Sequence, residues 1–354
     1  MGGSDLPGSR GGGPVTFLVT VGTTETALID GISAAGANPD VMSHTPSADV
    51  EILEYGRPLF APFVPVSPSG CPTPSLITRA VMDLVDLDLR VVDSGLTEPT
   101  AAPTISLADG PGGDIRTADP VPDAATIAER GRHLAPAVGA DPGSDSGDDL
   151  VLAESIPGGT TTALGTLTAL GESIPVSSSL PENPLDLKRS VVDEGLSASR
   201  VEAGGLEGQP IEAVRRMGDP VLAAIYGLIA GAAGAGRAIT LAGGTQMIAA
   251  AALARHGDVE APITVATTSF VDGDDSTDLQ AAAARLDLDL SVTDPGFDEI
   301  EHVAFERYRM GEAKEGVGMG GALHLAAEAG VPMAEVRERI MERYDALVGE
   351  DGPG

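Results

Sequence analysis

Two apolar segments of this chain each run into a pair of glycines and a threonine, and a helix-forming stretch follows each of them. The first segment is residues 150–153, and the second is residues 238–242. Strands that alternate with helices are typical of a mainly parallel sheet covered by helices on both faces. We therefore predict a Rossmann-like α/β fold. Both glycine loops should lie at the carboxyl edge of the sheet, where such folds bind ligands.

The same alternation extends through most of the chain. Further strands are predicted at residues 15–21, 89–93, 174–178 and 263–267, and helices at residues 27–35, 163–170, 219–235 and 246–256. Seven prolines between residues 42 and 78 indicate a long irregular loop. The predicted organisation is a disordered tail (1–13), an α/β nucleotide-binding domain (14–300) and a helical C-terminal part (301–348) packed on it.

The charge of the chain restricts its partners and its solvent. There are 53 acidic against 21 basic residues, a formal net charge of −32, and Lys188 and Lys314 are the only lysines. An acidic surface with almost no lysine is typical of proteins adapted to molar salt, which screens charge repulsion. Nucleic acid is excluded as a partner, because no basic patch could neutralise its phosphates. The apolar run at residues 220–236 is short and glycine-rich, which favours a buried helix over a membrane span.

Several common functional classes find no support. Cys71 stands alone, so no disulfide framework exists, and with no secretory signal at the N-terminus we expect a cytoplasmic protein. The five histidines lack metal-ligand spacing, so no metal is predicted. Neither glycine loop matches the P-loop of nucleotide triphosphatases, no dinucleotide-binding glycine motif follows the first strand, and no nucleophilic serine elbow is present.

The loop at residues 154–162 reads Glu-Ser-Ile-Pro-Gly-Gly-Thr-Thr-Thr. Gly158 and Gly159 allow a ligand to approach the backbone, and Thr160 and Thr161 offer hydroxyls and amides at the start of a helix. These features favour binding of an anion such as phosphate. The alternative is an ordinary strand-to-helix turn with a threonine N-cap.

Two further segments could complete a site. Gly243, Gly244 and Thr245 form the second strand-to-helix junction, which could hold the other end of a phosphorylated ligand or could be a plain turn. Glu315 precedes a glycine-rich stretch at residues 316–321. In partly apolar surroundings its pKa would be raised and it could act as a general base. Alternatively, it is an exposed loop residue in a salt bridge.

Together these segments resemble the nicotinate-nucleotide–dimethylbenzimidazole phosphoribosyltransferase family, and most closely its archaeal branch. The family activates the lower base of cobamides, the vitamin B12-type cofactors. The resemblance covers nearly the whole chain beyond the tail and rests on residues 31–36, 44–46, 154–165, 177–184, 218–221, 241–247 and 315–322.

The resemblance implies a reaction and a set of site residues. The phosphoribosyl group passes from nicotinate mononucleotide to an aromatic nitrogen base, without a metal or cofactor, to give an α-riboside 5′-phosphate. It assigns Glu315 as the general base, with Glu312 as the alternative, and Glu154 as the residue that orients the nucleotide or stabilises charge near the reacting ring. The nucleotide contacts it implies are Gly158, Gly159, Thr160, Thr161, Gly243, Gly244, Thr245, Gly316 and Gly318.

Other interpretations remain open from the sequence. The accepting base could be dimethylbenzimidazole, a purine or another azole, since the base-binding segments of bacterial members have no clear counterpart here. The chain could also be a non-catalytic nucleotide-binding or regulatory protein of the same fold. A phosphoribosyltransferase that uses a pyrophosphate donor is a weaker interpretation. Such an enzyme would need a pair of acidic residues to bind a metal–pyrophosphate complex, and the nearest candidate is the acidic turn at residues 272–275. We further expect a homodimer and no membrane span.

Overall fold

Seven parallel strands form the centre of the computed structural model, which describes residues 15–36, 38–139 and 149–348. Within these ranges the strands are β1 (Val15–Val21), β2 (Leu87–Asp93), β3 (Thr104–Ser106), β4 (Leu150–Ser155), β5 (Ile239–Ala242), β6 (Ile263–Thr268) and β7 (Asp289–Thr293). Their order across the sheet is β3-β2-β1-β4-β5-β6-β7. The predicted mainly parallel α/β fold is confirmed. The predicted disordered tail, residues 1–13, lies outside the described residues.

Helices cover both faces of this sheet, as predicted. Among the described residues they are α1 (Pro39–Tyr55), α2 (Ser75–Met82), α3 (Ala124–Leu134), α4 (Gly159–Leu170), α5 (Leu185–Ser199), α6 (Pro210–Met217), α7 (Pro220–Gly234), α8 (Thr245–His256), α9 (Ser269–Asp272), α10 (Leu279–Leu286), α11 (Val303–Arg309), α12 (Met319–Glu328) and α13 (Met333–Val348). The core on one face contains α3 to α8 and α10. The core on the other face contains α1, α2 and the C-terminal helices α11 to α13.

The apolar runs of the sequence become the interior of the molecule. Every residue of β1 and of β4 is buried, as expected for central strands of a parallel sheet covered on both faces. Helix α7 is also buried along most of its length, which confirms the prediction of a core helix there. Within the described ranges, no helix combines the length and the apolar character needed to cross a membrane.

Three sequence predictions are wrong. The predicted helix at residues 27–35 is replaced by a 3₁₀ helix (Glu25–Leu28) and turns, with Gly31 at φ +76°. The predicted strand at residues 174–178 has no regular secondary structure. The predicted irregular loop at residues 42–78 contains most of α1 and the start of α2, so only its central part is irregular.

Helix α1 forms in spite of a proline at its centre because its ends are well defined. The Asn38 side chain accepts a hydrogen bond from the amide of Val41, and Pro39 occupies the first turn, where its missing N–H is tolerated. Gly56 ends the helix in the left-handed conformation, at φ +74°. Residues 45–53 are all buried, so tertiary packing outweighs the hydrogen bond lost at Pro46.

The strand order places a cleft between the carboxyl ends of β1 and β4. The chain winds outward from β1 through β2 to β3, then returns to β4 and continues in the opposite direction. A ligand site is expected at such a reversal, because loops from adjacent strands separate there. The loop at Gly158 follows β4 and the loop at Gly243 follows β5, so the predicted position of both loops at the carboxyl edge is confirmed.

Candidate active site

A cavity of about 960 Å³, open to solvent, lies at this edge of the sheet. Its walls include residues 154–160 at the end of β4, residues 177–179, the start of α8, the loop 313–317, the loop 65–74 before α2, residues 33–35 and part of α1. Glu154 and Glu315, the two carboxylates singled out in the sequence, both line it.

Glu154 is the penultimate residue of β4 and is 5% exposed. Its Oε2 accepts a hydrogen bond of 3.3 Å from Nε2 of Gln246, at the start of α8. Burial, and after it the negative charges of Asp219, Glu315 and Asp49, raise the pKa of Glu154 to about 8. The raised pKa favours the protonated form of the Glu154 carboxyl at neutral pH, whereas a cation placed beside it would favour its ionised form.

Glu315 is held by the helix that follows it. Its Oε1 accepts hydrogen bonds from the amides of Gly316 (3.1 Å) and Gly320 (2.9 Å), the latter in the first turn of α12. Its Oε2 is buried and makes no hydrogen bond of good geometry among the described residues, although the hydroxyl of Thr267 and the backbone of Thr268 lie near enough to the carboxylate to lower its pKa. Burial raises the pKa of Glu315 to about 7, and the backbone hydrogen bonds moderate this effect. A carboxylate with one fixed oxygen, one unpartnered oxygen and a pKa near neutrality is suited to accept a proton.

The glycine loop after β4 brings the two junctions into contact. Gly158 has φ +78° and serves as N-cap of α4, without any side-chain cap. A Cβ on Gly159 would lie 1.8 Å from Nε2 of Gln246, so only glycine allows that side chain to reach Glu154. Gly158, Gly159 and Thr160 line the cavity, whereas Thr161 is fully buried behind them.

The second glycine junction also lines the cavity. Gly244 and Thr245 lie on the cavity wall, and the Thr245 hydroxyl accepts a hydrogen bond of 3.1 Å from the amide of Ser177. Gly243 lies outside the lining and packs against Met247. Ser177, from the segment 174–178 that was predicted as a strand, is thereby fixed as part of the wall.

The structure also separates the candidates near the C-terminus. Gly316 lines the cavity beside Glu315, whereas Gly318 packs against Phe17 and Ala153 beneath it. Glu312, the alternative base, is outside the lining. Its Oε2 accepts hydrogen bonds from the hydroxyls of Ser67 (3.0 Å) and Ser69.

No group of three or more histidine, cysteine, aspartate or glutamate side chains within the described ranges is arranged to hold a metal ion. Cys71 lines the cavity as a buried thiol, and burial raises its pKa. A thiol in this state is a poor nucleophile. The groups that line the cavity include carboxylates, hydroxyls, backbone amides and the amine of Lys314.

Comparisons with known proteins give the family. No protein-family model matches the chain. A UPF0284 protein of Halobacterium salinarum is 56% identical over 332 residues, which cover 94% of this chain and 98% of the relative. A UPF0284 protein of Methanothermobacter thermautotrophicus is 42% identical over 341 residues, which cover 94% of this chain and 93% of the relative. The chain belongs to the UPF0284 family.

The UPF0284 chain also resembles solved structures. The nicotinate-nucleotide–dimethylbenzimidazole phosphoribosyltransferase of Thermus thermophilus matches with a TM-score of 0.60 and 19% identity, covering 96% of this chain and 87% of that chain. CobT of the same organism matches with a TM-score of 0.59 and 18% identity. The predicted resemblance is thus confirmed at the level of the fold.

Two cavity residues of this UPF0284 protein were missed in the sequence. Asp49, on α1, accepts hydrogen bonds from Thr73 (2.5 Å) and Ser155 (2.7 Å), and burial raises its pKa to about 6. It was hidden because the prolines around it suggested a loop. Lys314 precedes Glu315 and lines the cavity, where its Nζ is 2.9 Å from Oδ2 of Asp274. Lysine is rare in this chain, so a lysine next to Glu315 was a usable signal of a functional position.

Asp219 is a further buried carboxylate, which lies outside the cavity lining. Asp219 is the N-cap of α7 and accepts hydrogen bonds from the amide of Leu222 (2.8 Å) and the hydroxyl of Thr162 (2.5 Å). Burial raises its pKa to about 6. Its charge contributes to the raised pKa of Glu154, so α7 influences the cavity without reaching it.

Proposed function

We propose that this protein transfers the phosphoribosyl group of nicotinate mononucleotide to a nitrogen of an aromatic base, giving an α-riboside 5′-phosphate. The observation that carries the proposal is the state of Glu315. It is a cavity carboxylate with one oxygen held by amides, the other unpartnered, and a pKa of about 7. The shared fold with the phosphoribosyltransferase of Thermus thermophilus supports the same reaction.

In this proposal the 5′-phosphate binds at the start of α4. Amides in the first turn of a helix can donate to an anion, and the helix dipole favours negative charge at its N-terminus. Gly158, Gly159 and Thr160 would supply these contacts, with Gly244 and Thr245 holding another part of the nucleotide from α8. Gly316 would lie beside the incoming base. Thr161, Gly243 and Gly318 would act from behind the wall.

The chemistry requires one bond exchange and one proton transfer. The base nitrogen forms a bond to C1′ on the face opposite nicotinate, and the bond from C1′ to the pyridinium nitrogen breaks. Its electron pair goes to that nitrogen, so nicotinate leaves with a neutral ring. The N–H proton of the new riboside passes to the carboxylate of Glu315. Positive charge on the departing ring means that no acid catalyst is required.

Glu154 would stabilise the donor. The pyridinium ring and the developing positive charge at C1′ favour the ionised form of a neighbouring carboxyl. Glu154 would therefore lose its proton when the nucleotide binds, and its charge would then stabilise the transition state electrostatically. Gln246 holds the carboxyl in place through its hydrogen bond.

A base-dependent release assay tests this function. Purified protein in ~2 M KCl is incubated with nicotinate mononucleotide, alone and with 5,6-dimethylbenzimidazole, benzimidazole or adenine. Chromatography measures free nicotinate, and the NMR signal of the anomeric proton identifies the product. We expect nicotinate release only when a base is present, with α configuration in the product. Binding without release in any mixture would instead identify a non-catalytic nucleotide-binding protein.

A further inference from the structure

The two lysines of this chain lie at the same wall of the cavity. Lys188 is fully buried and Lys314 is 6% exposed, although a chain with a net charge of −32 has ample surface on which a cation would be stabilised. Nζ of Lys188 donates to the carbonyl of Ser177 (2.7 Å). Nζ of Lys314 donates to the carbonyls of Ser178 (3.2 Å) and Leu180 (3.3 Å).

Lys314 also forms a buried ion pair. Its Nζ is 2.9 Å from Oδ2 of Asp274, so its three donors all have acceptors. Oδ2 of Asp274 also accepts from the hydroxyl of Ser177 (2.9 Å), and its Oδ1 accepts from the amide (2.9 Å) and hydroxyl (2.7 Å) of Ser276. Burial alone would raise the pKa of Asp274, but the hydrogen bonds from Lys314 and Ser276 outweigh it and lower that pKa. Asp274 is therefore ionised in this pair.

The loop that carries Glu315 has an unfavourable backbone conformation. Five of the eight residues between positions 311 and 318 have positive φ: Gly311 (84°), Ala313 (45°), Gly316 (143°), Val317 (52°) and Gly318 (72°). Alanine disfavours this region, and a β-branched valine does so strongly. Such strain persists only where surrounding contacts impose it.

Contacts on both sides of Glu315 impose this conformation. Before it, the amide of Ala313 donates to the carbonyl of Ser179 (3.0 Å), and the hydroxyl of Thr268 donates to the carbonyl of Lys314 (2.7 Å). After it, the amide of Val317 donates to the carbonyl of Glu154 (2.9 Å). Lys314 directly precedes Glu315, and its side chain adds a charged contact, the ion pair with Asp274.

We infer that Lys314 is a positioning residue. Its bonds to Asp274 and to the carbonyls of Ser178 and Leu180 hold the strained loop in the conformation that presents Glu315 to the cavity. This inference rests on the proposed role of Glu315 in the reaction. A buried ion pair that served stability alone could be replaced by neutral side chains with little loss of activity, and that difference separates the two roles.

Three variants test the inference. Lys314→Met removes the charge and leaves Asp274 buried and unpaired. Lys314→Met with Asp274→Asn removes both charges, so stability should recover. Arg337→Met is the matched control, because Arg337 is 7% exposed and pairs with Glu299 away from the cavity. Each protein is measured for thermal unfolding, for kcat and KM with nicotinate mononucleotide, and for hydrogen exchange of residues 311–318.

The positioning role predicts a split between these readouts. Lys314→Met should lower kcat by about 100-fold and leave KM within about threefold. The double variant should regain thermal stability but not kcat, and exchange at residues 311–318 should be faster in both. Arg337→Met should lose stability with kcat and local exchange unchanged. A double variant with wild-type kcat and wild-type exchange would overturn the inference.

Failure of the proposed function would be distinguishable. A wild-type protein that releases no nicotinate with any base contradicts the transferase reaction itself. In that case hydrogen exchange still tests whether Lys314 holds the loop in place. Unchanged exchange of residues 311–318 in Lys314→Met would overturn this claim, and faster exchange would support it. An active wild type with equally active Lys314→Met overturns the positioning role alone.

Discussion

The amide of Val317 donates a hydrogen bond of 2.9 Å to the carbonyl oxygen of Glu154. Through this bond, the loop that carries Glu315 is tied directly to the carboxyl end of β4. Because β4 is a fully buried central strand, Glu154 and Glu315 share one rigid support. The sheet therefore helps to set their relative position, together with the contacts of Lys314.

The first prediction concerns Glu315. Glu315→Gln keeps an oxygen that can accept from Gly316 and Gly320 but cannot take up a proton. We expect kcat to fall by on the order of 10²–10⁴, while the Kd for nicotinate mononucleotide, measured by titration calorimetry, changes little. Glu312→Gln is the control and should retain activity, because Glu312 lies outside the cavity lining. Unchanged turnover in Glu315→Gln, or loss of turnover in Glu312→Gln, would move the base role.

The second prediction concerns pH and Glu154. Its pKa is raised by folding from 4.5 to about 8, so between these values the folded state binds more protons than the unfolded state. The free energy of unfolding should therefore decrease as pH rises through this window. Glu154→Gln removes this dependence. Without ligand, the variant should match wild type below pH 4.5 and exceed it by on the order of 4 kcal/mol at pH 8.

Denaturant unfolding at several pH values checks this. Glu338→Gln, which changes an exposed carboxylate on α13, should follow the wild-type curve throughout. A Glu154→Gln curve parallel to wild type from acid to alkaline pH would mean that the folded state does not hold Glu154 protonated.

The third prediction concerns the contact between the two glycine junctions. A Cβ on Gly159 would lie 1.8 Å from Nε2 of Gln246 and 2.8 Å from Cγ2 of Ile156. Gly159→Ala should therefore displace Gln246 from Glu154 and crowd the start of α4. We expect the Kd for nicotinate mononucleotide to rise about tenfold, or ~1.4 kcal/mol. Gly234→Ala, where a Cβ meets no atom within 4 Å, should leave that Kd unchanged. Equal Kd values for the two variants would contradict the proposed phosphate site.

The fourth prediction concerns salt. With a net charge of −32, repulsion between surface carboxylates should destabilise the fold in dilute buffer. The screening length falls from about 30 Å at 0.01 M to about 3 Å at 1 M salt. The thermal unfolding midpoint should therefore rise markedly between 0.05 M and ~2 M KCl. Equal midpoints at the two concentrations would show that the acidic surface does not require salt.

The sequence predicted the elements whose local and tertiary preferences agree. The strands β1, β4, β5 and β6 are buried apolar runs, and α4 and α8 follow them after glycines. Prediction failed where tertiary contacts override local signals. Pro46 lies within α1 because a whole face of that helix is buried. Residues 174–178 look like a strand, yet Ser177 is held by Lys188 and Thr245 instead of by a neighbouring strand.

The residues that line the cavity could also be predicted only in part from the sequence. Gly158 could be found because paired glycines at a helix start mark a close approach of the backbone, whereas the roles of Glu154 and Glu315 were implied by the family resemblance. That Glu154 and Glu315 share one cavity depends on the strand order, which no local pattern contains. Asp49 is contributed by a helix that the prolines concealed. The ion pair of Lys314 with Asp274 joins positions 40 residues apart in the chain.

A crystal structure of Glu315→Gln with nicotinate mononucleotide bound would test the central claim most directly, because this variant should bind the donor without consuming it. We predict the phosphate at hydrogen-bond distance from the amides of Gly159 and Thr160, and the pyridinium ring beside Glu154. C1′ should face position 315, with space for a base between them. A nucleotide bound outside this cavity, or with its phosphate against Glu154 and position 315, would contradict the account.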